Sequence, residues 1–283
     1  MLMRFEKFLS EKLSNRKRSC RRLSDKLSDK RYIRLALIAL LVIVAAANLR
    51  PAAVTVFSHY QTAQAAKKKL PIYSVDTPDK KVAITFDAAW GADDTDNLMR
   101  ILKDNEVRAT FFLCGYWVEK YPDEVQKIAA AGHDIGNHGN THAHGAQLSL
   151  EQNKSEILKC HEKIKQVTGQ DCRFFRPPYG EYNDNVITAA EESDYFAVQW
   201  DVDSHDWMDK GIEYTINRVL NNKNLQNGSI VLFHNDAKPT PKCLDTIIKG
   251  LKEKGYELVP LSELIHEGDY YMDHTGRQKL KTQ

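Results

Sequence analysis

The chain has 283 residues, 42% hydrophobic and 28% charged, which is the composition and length of a globular protein with a sizeable core and excludes a disordered chain. Its formal net charge of +2 conceals an asymmetry: residues 1–34 hold 12 Lys/Arg against 4 Asp/Glu, net +8, leaving −6 for the remainder. A basic arm ahead of a mildly acidic body excludes nucleic acid as the main partner, because a nucleic-acid binder carries its basic patch on the folded domain.

After the basic arm (residues 1–32) comes an uninterrupted apolar run, LALIALLVIVAAA, at residues 35–47. Extended to residues 33–57, with Arg50 at an interface, it reaches the roughly 20 residues that a membrane span needs. The upstream Lys/Arg excess places the N-terminus in the cytoplasm and the rest outside. The expectation is a single-pass signal anchor with an extracytoplasmic domain. The alternative is a cleaved signal peptide and a secreted protein, since Ala63-Gln64-Ala65 has the small-x-small cleavage pattern. With no second apolar span, an integral transporter is excluded.

Residues 58–79 are a polar connector containing Pro71 and Pro78, and residues 266–283 are a polar tail; a folded domain is expected over 80–265. Within it strand and helix signals alternate. Residues 82–86 (VAITF) are a strand, 95–105 a helix, 107–113 a strand, and 118–131 a helix stopped by Gly132. A long helix follows over 149–167, stopped by Gly169. Then come a strand at 173–175, a helix at 183–192, a strand at 196–200, a helix at 212–220, a strand at 229–233, a helix at 241–254 and a strand at 256–259. Such alternation predicts an α/β fold with a mostly parallel sheet or a barrel.

Of the five cysteines, Cys114, Cys160, Cys172 and Cys243 fall in this extracytoplasmic part, where disulfides are permitted. Cys160 and Cys172 flank a helix end and a strand start, compatible with a bridge. Cys114 ends an apolar strand and reads as a buried small hydrophobe. No CxxC or Cys/His finger spacing is present.

The polar motifs follow the strands, where a parallel barrel collects its functional groups on one face. Asp87 ends VAITF and could be a general base or a turn residue. His138 and His142, four apart in HGNTH, could ligate a metal through neutral imidazoles or be surface histidines. In Arg176-Pro177-Pro178-Tyr179-Gly180 a rigid turn offers an arginine that could hold a carboxylate bidentately. Asp206, in Asp203-Ser204-His205-Asp206-Trp207, could orient His234 as a general acid. His59, His133, His161 and His266 read as inert, with surface positions, and His274 has no assigned role.

Together these five motifs, in this order over about residues 80–262, resemble the NodB-homology polysaccharide deacetylases, the fourth carbohydrate esterase family. Thr85-Phe86-Asp87-Ala88-Ala89 stands at the family's TFDDG, His138–His142 at H[ST]xxH, Arg176–Gly180 at RxPYG, Asp203–Trp207 at DxxDW, and Leu232-Phe233-His234 at LxH. The TFDAAWG variant, with its basic anchor, also resembles the sporulation-type branch. The resemblance implies an irregular (β/α) barrel and hydrolysis of N-acetyl groups on cell-wall glycan, assisted by a divalent metal such as zinc. It implies Asp87 as general base, His138 and His142 as metal ligands, Arg176 orienting Asp87, and Asp206 orienting His234 as general acid. It further implies an oxyanion donor in the Tyr179 backbone N–H and an acetyl pocket lined by Leu232 and Trp207.

One departure matters. The second aspartate of TFDDG is the family's third metal ligand, and Ala88 cannot ligate. Either a nearby group such as Asp93, Asp94, His144 or His205 replaces it, or two histidines and waters hold the ion weakly, or no metal binds. Two further readings stay open: a non-catalytic glycan-binding or sporulation-assembly protein, and an O-acetyl esterase.

Overall fold

The computed structural model describes residues 68–281 together with Arg34 and Ile38. Among the described residues no helix is long and apolar enough to cross a membrane. The anchor expected over residues 33–57 falls, apart from those two residues, outside the described part.

The chain enters the sheet at β1 (Ser74–Val75) and runs up β2 (Lys81–Ala88) to α1 (Thr95–Asp104). β3 (Thr110–Leu113) leads into α2 (Gly115–Lys120) and α3 (Pro122–Ala130), and β4 (Asp134–Asn137) leads to α4 (Leu150–Thr168). The single helix expected over 118–131 is two, because Pro122 has no N–H to continue the α2 ladder and begins α3 instead. α4 carries a capping box between Ser149 and Gln152 and stops at Gly169, whose φ of 71° suits a left-handed cap. The second half runs through β5 (Phe174–Phe175), α5 (Asp184–Glu191), β6 (Phe196–Ala197), β7 (Val202–Asp203), α6 (Ile212–Leu220) and β8 (Ser229–His234). It ends in α7 (Thr240–Glu253), β9 (Glu257–Leu258) and a hairpin of β10 (Tyr270–Met272) and β11 (Arg277–Leu280).

The strands form one sheet in the order β10-β11-β1-β8-β2-β3-β4-β5-β6, with β7 on β8 and β9 on β2. From β8 to β6 every pairing is parallel. The sheet curls until Ile72, just before β1, meets Val198, just after β6, in a single parallel bridge. The irregular barrel expected from the resemblance is therefore an α/β sheet curled on itself and joined by one thin seam. Two expectations at the edges differ. Ile72, Ser74 and Val75 of the expected connector are buried in the sheet, and the expected polar tail supplies β10 and β11. Gln278 explains the second difference: fully buried, it accepts from the His266 backbone N–H and donates to the His266 carbonyl, which satisfies an otherwise polar strand.

Strand parity divides the core. Val82, Ile84, Phe86 and Ala88 of β2, Phe111 and Leu113 of β3, Ile135 of β4, and Val231 and Phe233 of β8 join the helices in one large apolar cluster. Ala83, Phe112, Phe174 and Ile230 belong to a smaller cluster, with no α-helix residue in it, inside the barrel. Asp87, Arg176 and His234 share parity with that inner set, which is why they reach the barrel mouth. Cys160 and Cys172 are free thiols; the Cys160 thiol donates to the Leu113 carbonyl at 3.2 Å instead of bridging.

Candidate active site

At the C-terminal ends of the strands lies a cavity of about 690 Å³, lined by Asp87, His138, His142, Tyr179, Asp206, Trp207, Leu232 and His234 among others. Eight of the nine residues expected from sequence are thus in one place, and the ninth, Arg176, lies fully buried beneath Asp87.

Asp87 and His234 are neighbours because β2 and β8 pair in parallel with those two residues in register. Arg176 donates from Nη1 to Asp87 Oδ1 at 2.7 Å and from Nη2 to the Gln199 carbonyl at 3.1 Å. The contact is single, not the expected bidentate fork, because the second nitrogen serves Gln199. The guanidinium rests on the Phe112 ring, 4.0 Å from its centroid. Gly136 makes room for that ring, since a Cβ there would stand 2.6 Å from Phe112 Cδ1. Burial pushes the Asp87 carboxyl up, but Arg176, His138 and His234 together hold it below the ordinary carboxylate value.

On the opposite wall Asp206 is saturated. Its Oδ1 accepts from His234 Nδ1 (2.8 Å) and the Trp207 N–H (2.8 Å), and its Oδ2 from the His234 N–H (2.7 Å) and Thr240 Oγ1 (2.6 Å). This fixes the proton of His234 on Nδ1 and leaves Nε2 for the cavity. Burial disfavours the imidazolium, yet the Asp206 hydrogen bond and charge raise the His234 pKa above its ordinary value.

His138 and His142 meet in the loop after β4, with ring centroids 5.0 Å apart. His138 donates from Nδ1 to the Arg176 carbonyl at 2.8 Å, leaving Nε2 free and 3.5 Å from Asp87 Oδ2. His142 is 9% exposed, and burial together with His138 pushes its pKa down to about 4. The loop is pinned by Glu156, whose Oε2 accepts from the Asn140 and Thr141 N–H groups and the Thr141 hydroxyl. It also packs on α2, where a Cβ at Gly115 would stand 2.5 Å from Asn140 Oδ1 and 3.0 Å from its Cα. Gly115→Ala should therefore displace the loop, lowering stability by about 1–3 kcal/mol and weakening metal retention. Thermal unfolding with and without added zinc checks both.

The two imidazoles fit a borderline divalent ion: neutral, buried, each with a ring nitrogen free of protein partners. Ala88 adds nothing and packs fully buried on the helix side. The expected substitutes do not gather here. His144 stacks on Tyr179 and pairs with Glu181 at 3.0 Å, and His205 is bonded to Tyr214 and Arg218. Asp93 and Asp94 precede α1 and belong to no group of convergent donors among the described residues. The thiol of Cys114 does converge: its Sγ and a nitrogen of each histidine lie within 4.8 Å of one another.

Sequence reasoning also missed Trp90, Trp200 and Asp236 on the cavity wall, and Thr240 and Glu156 behind it. Of these only Trp90 falls in a quoted motif, the TFDAAWG segment that also carries Asp87, and the others belong to none. Of the inert histidines, His133 is buried, accepting the Ala109 N–H at Nδ1, because it packs under Phe111. His161 is half-buried against Tyr195. His59 lies outside the described residues. Three residues that line the cavity, His142, Tyr179 and Asp209, hold positive φ of 54°, 60° and 50°, a conformation L-residues keep only where the surroundings impose it.

A family model described as polysaccharide deacetylase matches residues 74–198. A peptidoglycan-N-acetylglucosamine deacetylase of Bacillus cereus is 36% identical over 198 residues, 68% of this chain and 71% of that one. The uncharacterized protein YlxY of Bacillus subtilis is 34% identical over 197 residues, 70% of this chain, which spans only 61% of YlxY. Among solved structures, wild-type BA3943 of Bacillus anthracis, described as a CE4 family pseudoenzyme, superposes with a TM-score of 0.67 at 34% identity, covering 70% of this chain and 69% of that one. A BA3943 mutant with restored enzymatic activity gives 0.67 at 35% identity, covering 70% and 71%.

Proposed function

The chain belongs to the polysaccharide deacetylase family, and from that premise we propose that it hydrolyses N-acetyl groups on cell-wall glycan with the help of a divalent metal ion, releasing acetate. The observation that carries this reading is the pairing of two preset groups across one cavity: an Arg176-held Asp87 carboxylate and an Asp206-held His234 imidazole. An amide needs both, because water is a poor nucleophile and an amine anion a poor leaving group. Asp87 takes a proton from the attacking water as its oxygen adds to the acetyl carbon. His234 Nε2–H then gives a proton to the sugar nitrogen as the C–N bond breaks, leaving acetate and a free amine. In this reading the Tyr179 backbone N–H donates to the developing oxyanion, one such donor being worth about 3–4 kcal/mol. Leu232, 2% exposed, and Trp207 form the acetyl pocket. Bound metal, held by His138 and His142, would polarise the carbonyl and acidify water. Exposed Trp90, Tyr179 and Trp207 offer faces for sugar rings.

Acetate release from N-acetylglucosamine oligomers and peptidoglycan tests the reading, with acetylated xylan separating an O-acetyl esterase. No release on any of the three, with metal added, would leave the second reading, a non-catalytic glycan-binding or sporulation-assembly protein. That reading has its own support in Ala88 and in the likeness to a described pseudoenzyme. The proposed setting is extracytoplasmic, with residues 33–57 as membrane anchor. Membrane fractionation and protease accessibility in intact cells check it.

The raised His234 pKa carries a pH signature. The acid must be protonated, so the rate falls as pH rises through that raised value. Asp206→Asn removes the charge that favours the imidazolium, and burial then dominates. The alkaline limb of kcat against pH should move to lower pH; an unmoved limb would remove His234 as the acid.

A further inference from the structure

We propose that Cys114 is the third protein ligand of the metal, so that this chain holds its ion in a Cys-His-His site in place of the carboxylate-bearing one expected from the family motif. The inference rests on the metal-assisted reading above and adds to it the ligand that Ala88 cannot supply.

The case begins with strand register. Ala88, Leu113, Asn137 and Phe175 stand level across β2, β3, β4 and β5. The parallel ladder continues one residue further. The Cys114 N–H donates to the Ala88 carbonyl at 3.0 Å, the His138 N–H to Leu113 at 3.0 Å, and the Arg176 N–H to Asn137 at 2.9 Å. Cys114, His138 and Arg176 thus form the next row, directly beyond the row containing Ala88. The thiol that replaces the missing carboxylate comes from the neighbouring strand.

Three observations then converge on one point. Sγ of Cys114 and a ring nitrogen of both His138 and His142 lie within 4.8 Å of one another. That spacing exceeds the roughly 3.5 Å between donors around a tetrahedral ion, given metal–ligand lengths of about 2.0–2.3 Å, so a small side-chain rotation completes it. His142 lines the cavity and has no protein hydrogen-bond partner for either ring nitrogen among the described residues, so a nitrogen is available to an ion. The thiol's own partner is weak: it donates to the His138 carbonyl at 3.4 Å, a bond readily exchanged. Ligation forms a metal–sulfur bond, breaks the S–H bond and releases its proton to solvent. The loop carrying both histidines is docked on the residue after Cys114, with Gly115 N–H donating to the Gly139 carbonyl at 2.9 Å, so the three donors move as a unit.

A thiolate makes the site softer than one with a carboxylate, which favours zinc or cobalt over magnesium or manganese. The test uses the full-length chain, stripped and reloaded with zinc or cobalt(II), against Cys114→Ser and Cys114→Ala. The cobalt-loaded wild type should show a thiolate-to-cobalt charge-transfer band in the near ultraviolet, absent from both variants. Zinc affinity should fall by at least about 100-fold in Cys114→Ala, since even outer-shell losses cost about 10–100-fold. Cys114→Ser, nearly isosteric, controls for packing. Circular dichroism establishes that each variant is folded. Cobalt binding to the wild type without the band, unchanged zinc affinity in folded Cys114→Ala, or no binding of either metal by the wild type would each overturn the proposal. Acetate release is read separately. A thiolate band without acetate release defeats the deacetylase reading alone, and acetate release with metal bound but no band defeats this one alone.

Discussion

Asp87→Asn is expected to reduce acetate release by about 10²–10⁴-fold while leaving the fold and bound zinc in place. Asparagine keeps the shape of Asp87 and an oxygen for Arg176 Nη1, so the wall of the cavity is preserved. What it loses is the lone base able to take a proton from water at the level of His234, its neighbour in the β2–β8 register. The loss should fall on kcat more than on KM, because Asp87 is buried while the proposed sugar contacts are the exposed Trp90, Tyr179 and Trp207. Single-turnover acetate release with the zinc-loaded variant gives the number. Activity within tenfold of wild type would remove Asp87 as the base and leave no other carboxylate in contact with Arg176. If the wild type itself released nothing, the same variant would be read by glycan affinity, where near-equality with wild type is the expected result for a binding groove.

The interpretation of a silent wild type turns on Ala88. A carboxylate lost from a ligand set need not end metal binding if a neighbouring strand supplies a donor, and Cys114 stands one row beyond. Removing His142 discriminates further, because its pKa of about 4 keeps it neutral and ready to ligate across the physiological range.

Much of this arrangement was legible in the sequence, and the reasons are specific. VAITF and SIVLF read as buried strands because every residue faces a core, helices on one side and the barrel interior on the other. Asp87 and His234 then stood out as the polar residues at which those apolar runs stop, and Arg176 as the one that follows Phe174-Phe175. The 149–167 helix announced both its ends, Ser149 and Gly169. Less legible were the short elements. β1, β10 and β11 owe their place to pairing with distant strands and to the buried Gln278, which no local pattern reveals. Cys114 is the buried small hydrophobe expected at the end of its apolar run, but nothing local tells of the histidines beside it. Only the register of β3 against β4, a long-range fact, sets it beside His138. The supports of the site, Thr240 on Asp206 and Glu156 on the histidine loop, are likewise contacts between residues far apart in the chain.

Arg176→Met should be the most destabilising substitution in the site. Arg176 is wholly enclosed, neutralises Asp87, caps the Gln199 carbonyl and lies on Phe112. Methionine fills much of the volume but leaves a buried carboxylate without its partner, a loss of about 3–5 kcal/mol. The pH dependence should change sign as well. In the wild type the Asp87 pKa is lower folded than unfolded, so its contribution to stability is present above the unfolded value and is lost as pH falls through the folded one. Without Arg176, burial dominates and the folded pKa rises above the unfolded one. The penalty is then absent at low pH and grows as pH climbs through the unfolded value. Urea unfolding of both proteins at several pH values from acid to neutral should give a gap between them that widens with pH. A gap that stays constant would mean that Arg176 acts through packing on Phe112 alone, and that the Asp87 carboxylate is held ionised by the imidazoles around it.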